Sequence, residues 1–139
     1  MRSARQSVEW HRGVWRCPDA TFIVDHCGVP RVKERVIEPW RSHMAELAKF
    51  PNVFCKISGI VAYADPANWA AEDLLPYIEH VIASFDWDRL VFGSDWPVCT
   101  LSASYRNWVE ALGRITNSPG EANQAKLFHD NAVRVYRLA

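Results

Sequence analysis

The sequence predicts an α/β fold with parallel strands, and three observations carry this prediction. Residues 21–25, 52–57 and 89–93 form three short, nearly continuous apolar segments, and each leads into a turn that contains glycine or proline. Such runs are typical of strands buried on both faces of a parallel sheet. Amphipathic helical patterns separate them, which gives two β-α-β crossovers. With 139 residues and 49% hydrophobic composition, the chain is expected to form one soluble globular domain.

The first strand is residues 21–25 (TFIVD), and the turn sequence HCGVP follows it. The next element is a helix, for which Pro39 stands where a first helical residue belongs. One apolar face of this helix recurs at the spacing i, i+4, i+7 and i+8, and it consists of Trp40, Met44, Leu47 and Ala48.

The second and third strands are residues 52–57 (NVFCKI) and 89–93 (RLVFG), which lead into SGI and SDWP. The helix between them covers residues 74–85, and its apolar face consists of Leu74, Leu75, Ile78, Val81, Ile82 and Phe85. The chain therefore repeats one strand-helix unit before the third strand begins.

Two helices are predicted after the third strand. The first has an apolar face of Tyr105, Trp108, Val109 and Leu112. The second begins at SPGE, residues 118–121, which matches a capping box with Pro119 as the first helical residue. Its apolar face continues through Leu127, Phe128, Ala132, Val133 and Tyr136.

The N-terminus shows a weak helical pattern over residues 8–16 with no strand before it. An alternation that begins with a helix indicates that earlier strand-helix units are missing. The alternative is a small open sheet, whose two outer strands would then be bare edges of Val, Ile and Phe.

Charge and composition exclude several classes of partner. Sixteen basic residues balance sixteen acidic ones, and no basic stripe is present that could neutralise a phosphate backbone, so nucleic acid is not an expected partner. No signal-peptide pattern or membrane-length apolar run occurs, which predicts a cytoplasmic protein without membrane contact. The four cysteines are scattered singly, and this spacing favours packing over a zinc or redox role.

Polar side chains converge at the carboxyl ends of the three predicted strands. Because side chains alternate along a strand, each predicted strand has one face that ends in polar residues: Phe22, Val24 and His26; Phe54, Lys56 and Ser58; Val91, Gly93 and Asp95. Ligands bind at this end in parallel α/β folds. We call the opening at this edge of the sheet the mouth. It would be lined by an imidazole, an ammonium group, a hydroxyl and a carboxylate, a combination suited to hydrolysis.

Each of these residues also has a structural interpretation. His26 can simply cap a loop, and Asp95 can accept hydrogen bonds from turn amides. Asp25 is predicted to point away from His26 and to partner backbone amides or a neighbouring helix. Of the seven tryptophans, only Trp96 is a candidate substrate contact. The remaining histidines are expected to be surface or packing residues, namely His11, His43, His80 and His129.

Four segments resemble the amidohydrolase-2 family of predicted metal-dependent TIM-barrel hydrolases, and within it the L-fuconolactonase and L-rhamnonolactonase branch. They are DHCGVP from residue 25, CKISGI from residue 55, FGSDWPVC from residue 92 and NAVRVYRL from residue 131. FGSDWPVC followed by LSASY is the most specific of them, and the match covers about residues 17 to 139.

The resemblance implies that the three strands are the sixth, seventh and eighth of a (β/α)8 barrel, so that residues 1–139 form a partial domain without strands one to five. It also implies a sugar-acid lactone as substrate. Asp95 would activate water, and His26 would bind a divalent metal, zinc first, together with Asp95, or polarise the carbonyl. Lys56 and Ser58 would bind substrate oxygens, and Trp96 would line the pocket.

Two departures leave alternatives open. No His-x-His, the family's motif on the first strand, occurs in the sequence, and His26 with Asp95 falls short of the three protein ligands typical of catalytic zinc. One alternative is a decarboxylase of the same superfamily. The other is a truncated or degenerate fragment without catalysis, whose bare strand edges would drive homo-oligomer formation.

Overall fold

The computed structural model describes residues 13–117 and 120–138, and within them the three predicted strands are confirmed in slightly shorter form. They form one parallel sheet in the order β1-β2-β3, with β1 at Phe22–Val24, β2 at Val53–Ile57 and β3 at Leu90–Phe92. The helices are α1 at Trp40–Ala48, α2 at Ala71–Phe85, α3 at Tyr105–Ile115, α4 at Glu121–Ala125 and α5 at Asn131–Tyr136, with a π-helical turn at Lys126–Asp130 between the last two.

The strand register separates the two faces of the sheet. On β2, Val53, Cys55 and Ile57 are at most 1% exposed and belong to the hydrophobic core. The alternate residues Phe54 and Lys56 are half-buried on the opposite side. Residues paired laterally in a sheet point to the same face, and the pairs Ile23 with Phe54 and Lys56 with Val91 define that opposite side, the far face: Ile23, Phe54, Lys56 and Val91.

The predicted phase of the first strand is wrong. Phe22 and Val24 pair with Val53 and Cys55, so they pack on the core face, opposite to Phe54 and Lys56. The physical reason is that β1 consists only of Phe, Ile and Val, so both faces are apolar and no polar alternation fixes the phase.

Helix α2 buries one face in the hydrophobic core. Leu74, Ile78, Val81 and Phe85 are fully buried, as the spacing predicted. The side chain of Asp73 accepts a hydrogen bond of 3.0 Å from the Ala70 N–H and so caps the start of this helix. Ser104 does the same for α3, where its Oγ accepts from the Asn107 N–H at 3.1 Å.

Two details of the predicted helices are wrong. Tyr105, assigned to the apolar face of α3, is 51% exposed because it is the first residue of the helix and lies beyond the edge of the core. The last helical segment begins at Glu121, since Gly120 with φ 92° cannot be part of a helix. Ser118 and Pro119 lie outside the described residues, as do residues 8–12 of the predicted N-terminal helix, whereas residues 13–16 are helical.

A buried asparagine ties the C-terminal helices to the sheet. Asn131, 3% exposed, donates its side-chain N–H groups to the carbonyls of Trp87 at 2.7 Å and Leu90 at 2.8 Å. Farther along α5, the Arg134 guanidinium lies 5.6 Å from the Phe54 ring centre, and the Tyr136 ring lies 5.7 Å from Lys56 Nζ. The end of the chain therefore covers part of the far face.

The cysteines are packing residues, as predicted, with one exception. Cys27, Cys55 and Cys99 are fully buried and unpaired, whereas Cys17 is exposed. Burial is the main cause that raises the pKa of the Cys55 thiol well above its usual range, and the neighbouring Cys27 adds to it. In the described part of the chain, no helix has the length and apolar character needed to cross a membrane.

Candidate active site

The candidate site lies where the three strands end. His26 follows β1 in a single 3₁₀ turn, Asp25–Gly28, and Ser58 comes directly after β2. Asp95 lies beyond Phe92, the last residue of β3. Because the strands are parallel, all three residues stand at the same edge of the sheet, as predicted.

The three side chains meet. His26 Nδ1 lies 2.9 Å from Ser58 Oγ and 3.9 Å from Asp95 Oδ2. Ser58 is buried at 1% exposure, while the side chains of His26 and Asp95 are 33% and 16% exposed. The imidazole and the carboxylate are therefore partly open to a ligand, and the hydroxyl is enclosed behind them.

Left-handed backbone conformations bring these side chains together. His26 has φ 54°, Asp95 has φ 55°, and Gly59 between them has φ 64°. A left-handed residue other than glycine costs about 1–2 kcal/mol, and such strain concentrates at functional sites. The left-handed turn, and not the alternation of side chains along β1, therefore brings His26 to the mouth. Its predicted location at the end of the strand is right, but the predicted alternation along β1 is wrong.

The contacts of the His26 ring favour one tautomer. Nδ1 faces Ser58 and the Asp95 carboxylate, and an adjacent negative charge favours a proton on that nitrogen. Nε2 then carries a lone pair, and it has no hydrogen-bond partner among the described residues. This nitrogen is the one that can bind a ligand or a metal.

Lys56 is held by an acidic partner that the sequence did not identify. Lys56 Nζ lies 2.6 Å from Asp25 Oδ1, so the prediction that Asp25 partners backbone amides or a neighbouring helix is wrong. Asp25 directly follows β1, and its contact with Lys56 places its carboxylate beside the far face. Once the phase of β1 is known, an acid and a base at neighbouring strand ends are the signal that identifies this pair.

We expect Asp25→Asn to lower the pKa of Lys56. Partial burial is the largest influence and lowers this pKa, but hydrogen bonds to Asp25 and Tyr136 outweigh it, so the net shift is upward. Removal of the carboxylate removes the main raising cause and leaves burial to act. An NMR titration of the Lys56 side chain measures the change, and Asp88→Asn, which alters the distant Asp88–Lys126 pair, should leave Lys56 unchanged. An unaltered titration in Asp25→Asn would contradict the assignment.

Two aromatic residues stand near the mouth. Trp96 directly follows Asp95 and is 68% exposed, so its ring is accessible to a ligand. Tyr63 ends the 3₁₀ turn Ile60–Tyr63 that follows β2. Burial, followed by the negative charge of Asp95, raises the pKa of Tyr63, which places its hydroxyl in the electrostatic range of the site. No sequence pattern identifies Tyr63, because a turn after a strand has no periodicity.

The other histidines within the described ranges take no part in this cluster. His80 Nε2 lies 2.8 Å from the Arg41 carbonyl oxygen, and its ring contacts Trp40. His129 is exposed beside Asp130, and His43 lies within α1. These agree with the predicted surface or packing roles, while His11 lies outside the described residues.

The described residues supply only part of a metal site. His26 Nε2 and the Asp95 carboxylate are suitable donors at one mouth. No group of three or more His, Cys, Asp or Glu side chains within the described ranges is placed to hold a metal ion. Catalytic zinc typically has three protein ligands, so this donor set does not fit zinc by itself.

The parallel strand-helix units, with a histidine and an aspartate at the carboxyl ends of the two outer strands, agree with the predicted part of a (β/α)8 barrel. The chain belongs to the amidohydrolase family, since the family model Amidohydro_2, described as Amidohydrolase, matches residues 3–138. The predicted resemblance is thereby confirmed, and so is the fold, a C-terminal part of a TIM barrel.

Named relatives and a solved structure agree with this. The chain is 40% identical over 121 residues to "Uncharacterized protein y4mH" of Sinorhizobium fredii and 36% identical over 127 residues to L-fucono-1,5-lactonase of Burkholderia multivorans. These matches cover 87% and 84% of this chain but 40% and 43% of the relatives, so the chain spans less than half of their length.

One solved structure that matches the chain is an amidohydrolase from Burkholderia multivorans with bound zinc. It superposes with a TM-score of 0.90 at 34% identity, over 97% of this chain and 50% of that one.

Proposed function

We propose that this chain carries one part of the active site of a sugar-acid lactonase, which opens a cyclic ester with an activated water molecule. The observation that carries the proposal is the approach of His26 Nδ1 to within 3.9 Å of Asp95 Oδ2 at the sheet edge. The similarity to L-fucono-1,5-lactonase supports a lactone substrate, and it favours acid release over the decarboxylation considered as an alternative.

Asp95 is the general base of this proposal. Its carboxylate is 16% exposed, close enough to solvent to accept a proton from a water molecule. The water oxygen then bonds to the lactone carbonyl carbon, and a tetrahedral intermediate forms. When the ring C–O bond breaks, the leaving alkoxide takes the proton from Asp95, and the product is an open hydroxy acid.

His26 faces the substrate with Nε2. In the neutral ring this nitrogen has a free lone pair and is available as a ligand, whereas in the protonated ring its N–H can donate to the carbonyl oxygen. Ser58 is too deeply buried for direct access, and its Oγ lies 2.9 Å from Nδ1. We therefore assign to Ser58 the orientation of His26, in place of the substrate contact predicted from sequence.

Lys56 and Trp96 complete the substrate surface. Lys56 uses two of its three N–H groups for Asp25 and Tyr136, which leaves one for a carbonyl or hydroxyl oxygen of the substrate. Trp96, the residue after Asp95, offers an exposed ring against which the carbon face of a sugar ring can pack.

A divalent metal would need ligands beyond those described. The zinc-bound Burkholderia multivorans amidohydrolase supports metal chemistry in the complete site. This chain would contribute His26 and Asp95, and a third ligand would have to come from outside the described residues. The steps assigned above to Asp95 and His26 use only the atoms of these two side chains.

The experiment is a chimera. This chain replaces the matching segment of L-fucono-1,5-lactonase from Burkholderia multivorans, so that its site residues stand in a complete enzyme. We expect acid release from L-fucono-1,5-lactone in a pH-stat assay, without carbon dioxide. In parallel, NMR of the isolated chain with the lactone should show shifts at His26, Lys56 and Trp96. A folded chimera that is inactive, or shifts confined to residues away from the mouth, would reject the proposal.

A further inference from the structure

We propose that Gly59 is a positioning residue of this site, because its missing side chain leaves the space in which His26 and Asp95 approach each other. The inference rests on the proposed function in one respect, namely that these two residues are the reacting groups. Its geometric basis is independent of any substrate.

The space above Gly59 is enclosed by the site itself. A Cβ atom added to Gly59 would lie 2.7 Å from His26 Nδ1, 3.0 Å from His26 Cγ and 2.9 Å from Asp95 Oδ2. Carbon atoms do not approach nitrogen and oxygen atoms of neighbouring side chains this closely without repulsion. A methyl group at position 59 must therefore move the imidazole, the carboxylate or the strand tip that carries it.

The two neighbours have little freedom to retreat. His26 and Asp95 both have left-handed backbone conformations, and few other backbone conformations would keep their side chains at the mouth. The His26 ring is held by Ser58, which is itself buried. The Asp95 carbonyl accepts a hydrogen bond of 2.9 Å from the Cys99 N–H and is fixed to the following turn. A small adjustment therefore cannot relieve the contact, and a side chain at position 59 must push the imidazole or the carboxylate out of its present place, which changes the separation of the pair.

Gly59 differs in this respect from the other glycines with positive φ in the described ranges. A Cβ on Gly28 would meet the core residues Met44 and Trp40, and one on Gly120 would meet nothing within 4 Å. Gly120 with φ 92° therefore provides a matched control, because alanine there adds backbone strain without a steric contact.

Separation of the pair has a chemical consequence. The nearby carboxylate favours the proton on His26 Nδ1 and so keeps the Nε2 lone pair free at the mouth. When Asp95 moves away, this preference weakens, and the Nε2–H tautomer gains population. A residue needed only for folding would not change the tautomer of His26.

The test compares Gly59→Ala with Gly120→Ala in the full chain. We expect Gly59→Ala to have a Tm lower than that of Gly120→Ala by at least about 4 °C. In the folded state, the imidazole ¹⁵N spectrum of His26 should shift toward the Nε2–H tautomer in Gly59→Ala only. Equal Tm values together with an unchanged His26 spectrum would overturn the inference.

A double-variant cycle covers the case in which Gly59→Ala does not fold. His26→Ala removes the ring that the new methyl group would meet, so in this background the Tm cost of Gly59→Ala should fall toward the Gly120→Ala value. An undiminished cost would show that the ring is not the cause and would also overturn the inference. None of these measurements needs catalysis, so failure of the lactonase proposal is seen separately in the chimera assay.

Discussion

Asp95→Asn is expected to lower kcat for lactone hydrolysis by about 10²–10⁴-fold, the contribution typical of a general base. The amide has the shape of the carboxylate but cannot accept a proton from water at neutral pH. It also removes the negative charge near His26 Nδ1, which lies 3.9 Å away. The measurement is kcat and KM of the chimera with L-fucono-1,5-lactone.

The matched control for this substitution is Asp88→Asn. Asp88 forms a 2.8 Å ion pair with Lys126 and precedes β3, at the end of the strand opposite to the mouth. The Lys126 ammonium lowers the pKa of Asp88, yet the pair is exposed and remote from the reacting groups. We expect kcat of Asp88→Asn to equal that of the unmodified chimera. A near-normal kcat in Asp95→Asn would remove Asp95 from the mechanism.

The sequence was sufficient for the elements of the fold because they depend on local patterns. Each apolar run became a strand, and the buried face of α2 follows the predicted period. The mouth was also predictable, since the carboxyl ends of parallel strands must share one edge. His26, Ser58 and Asp95 do meet there.

What the sequence could not provide depends on tertiary geometry. The strand β1 has no polar residue, so its phase can be read only from the register with β2, and the partner of Asp25 could not be predicted. The left-handed turns at His26 and Asp95 reposition both side chains beyond the strands, where alternation no longer applies. His26, Gly59 and Asp95 follow three different strands, so no local sequence pattern predicts that both side chains approach Gly59.

Several expectations remain predictions. They are the assignment to strands six to eight, the cytoplasmic location and the association through strand edges.

Within the described residues, β1 and β3 each pair with β2 alone, so each has one strand edge that does not pair with another strand. Gel filtration tests association, and a sharp monomer peak would contradict it.

Trp108→Ala is expected to lower the free energy of unfolding by about 3–5 kcal/mol, the range for truncation of a buried aromatic side chain. Trp108 lies in α3, is fully buried and stacks with Phe92 at a ring distance of 6.5 Å. Its indole N–H donates to the Gly93 carbonyl at 3.3 Å, just before the turn that carries Asp95. Since small domains are stable by about 5–15 kcal/mol, this loss removes a large fraction of the total.

Two further variants separate packing from hydrogen bonding at this position. Trp108→Phe keeps an aromatic ring but leaves the Gly93 carbonyl without its donor, which should cost about 1–3 kcal/mol. Trp15→Ala, at a residue 77% exposed, should change stability by no more than about 0.5 kcal/mol. Urea denaturation followed by tryptophan fluorescence and circular dichroism measures all three. If Trp108→Phe were as destabilising as Trp108→Ala, the hydrogen bond to Gly93, and not the packing of the ring, would be the main link between α3 and the strand tip that carries Asp95.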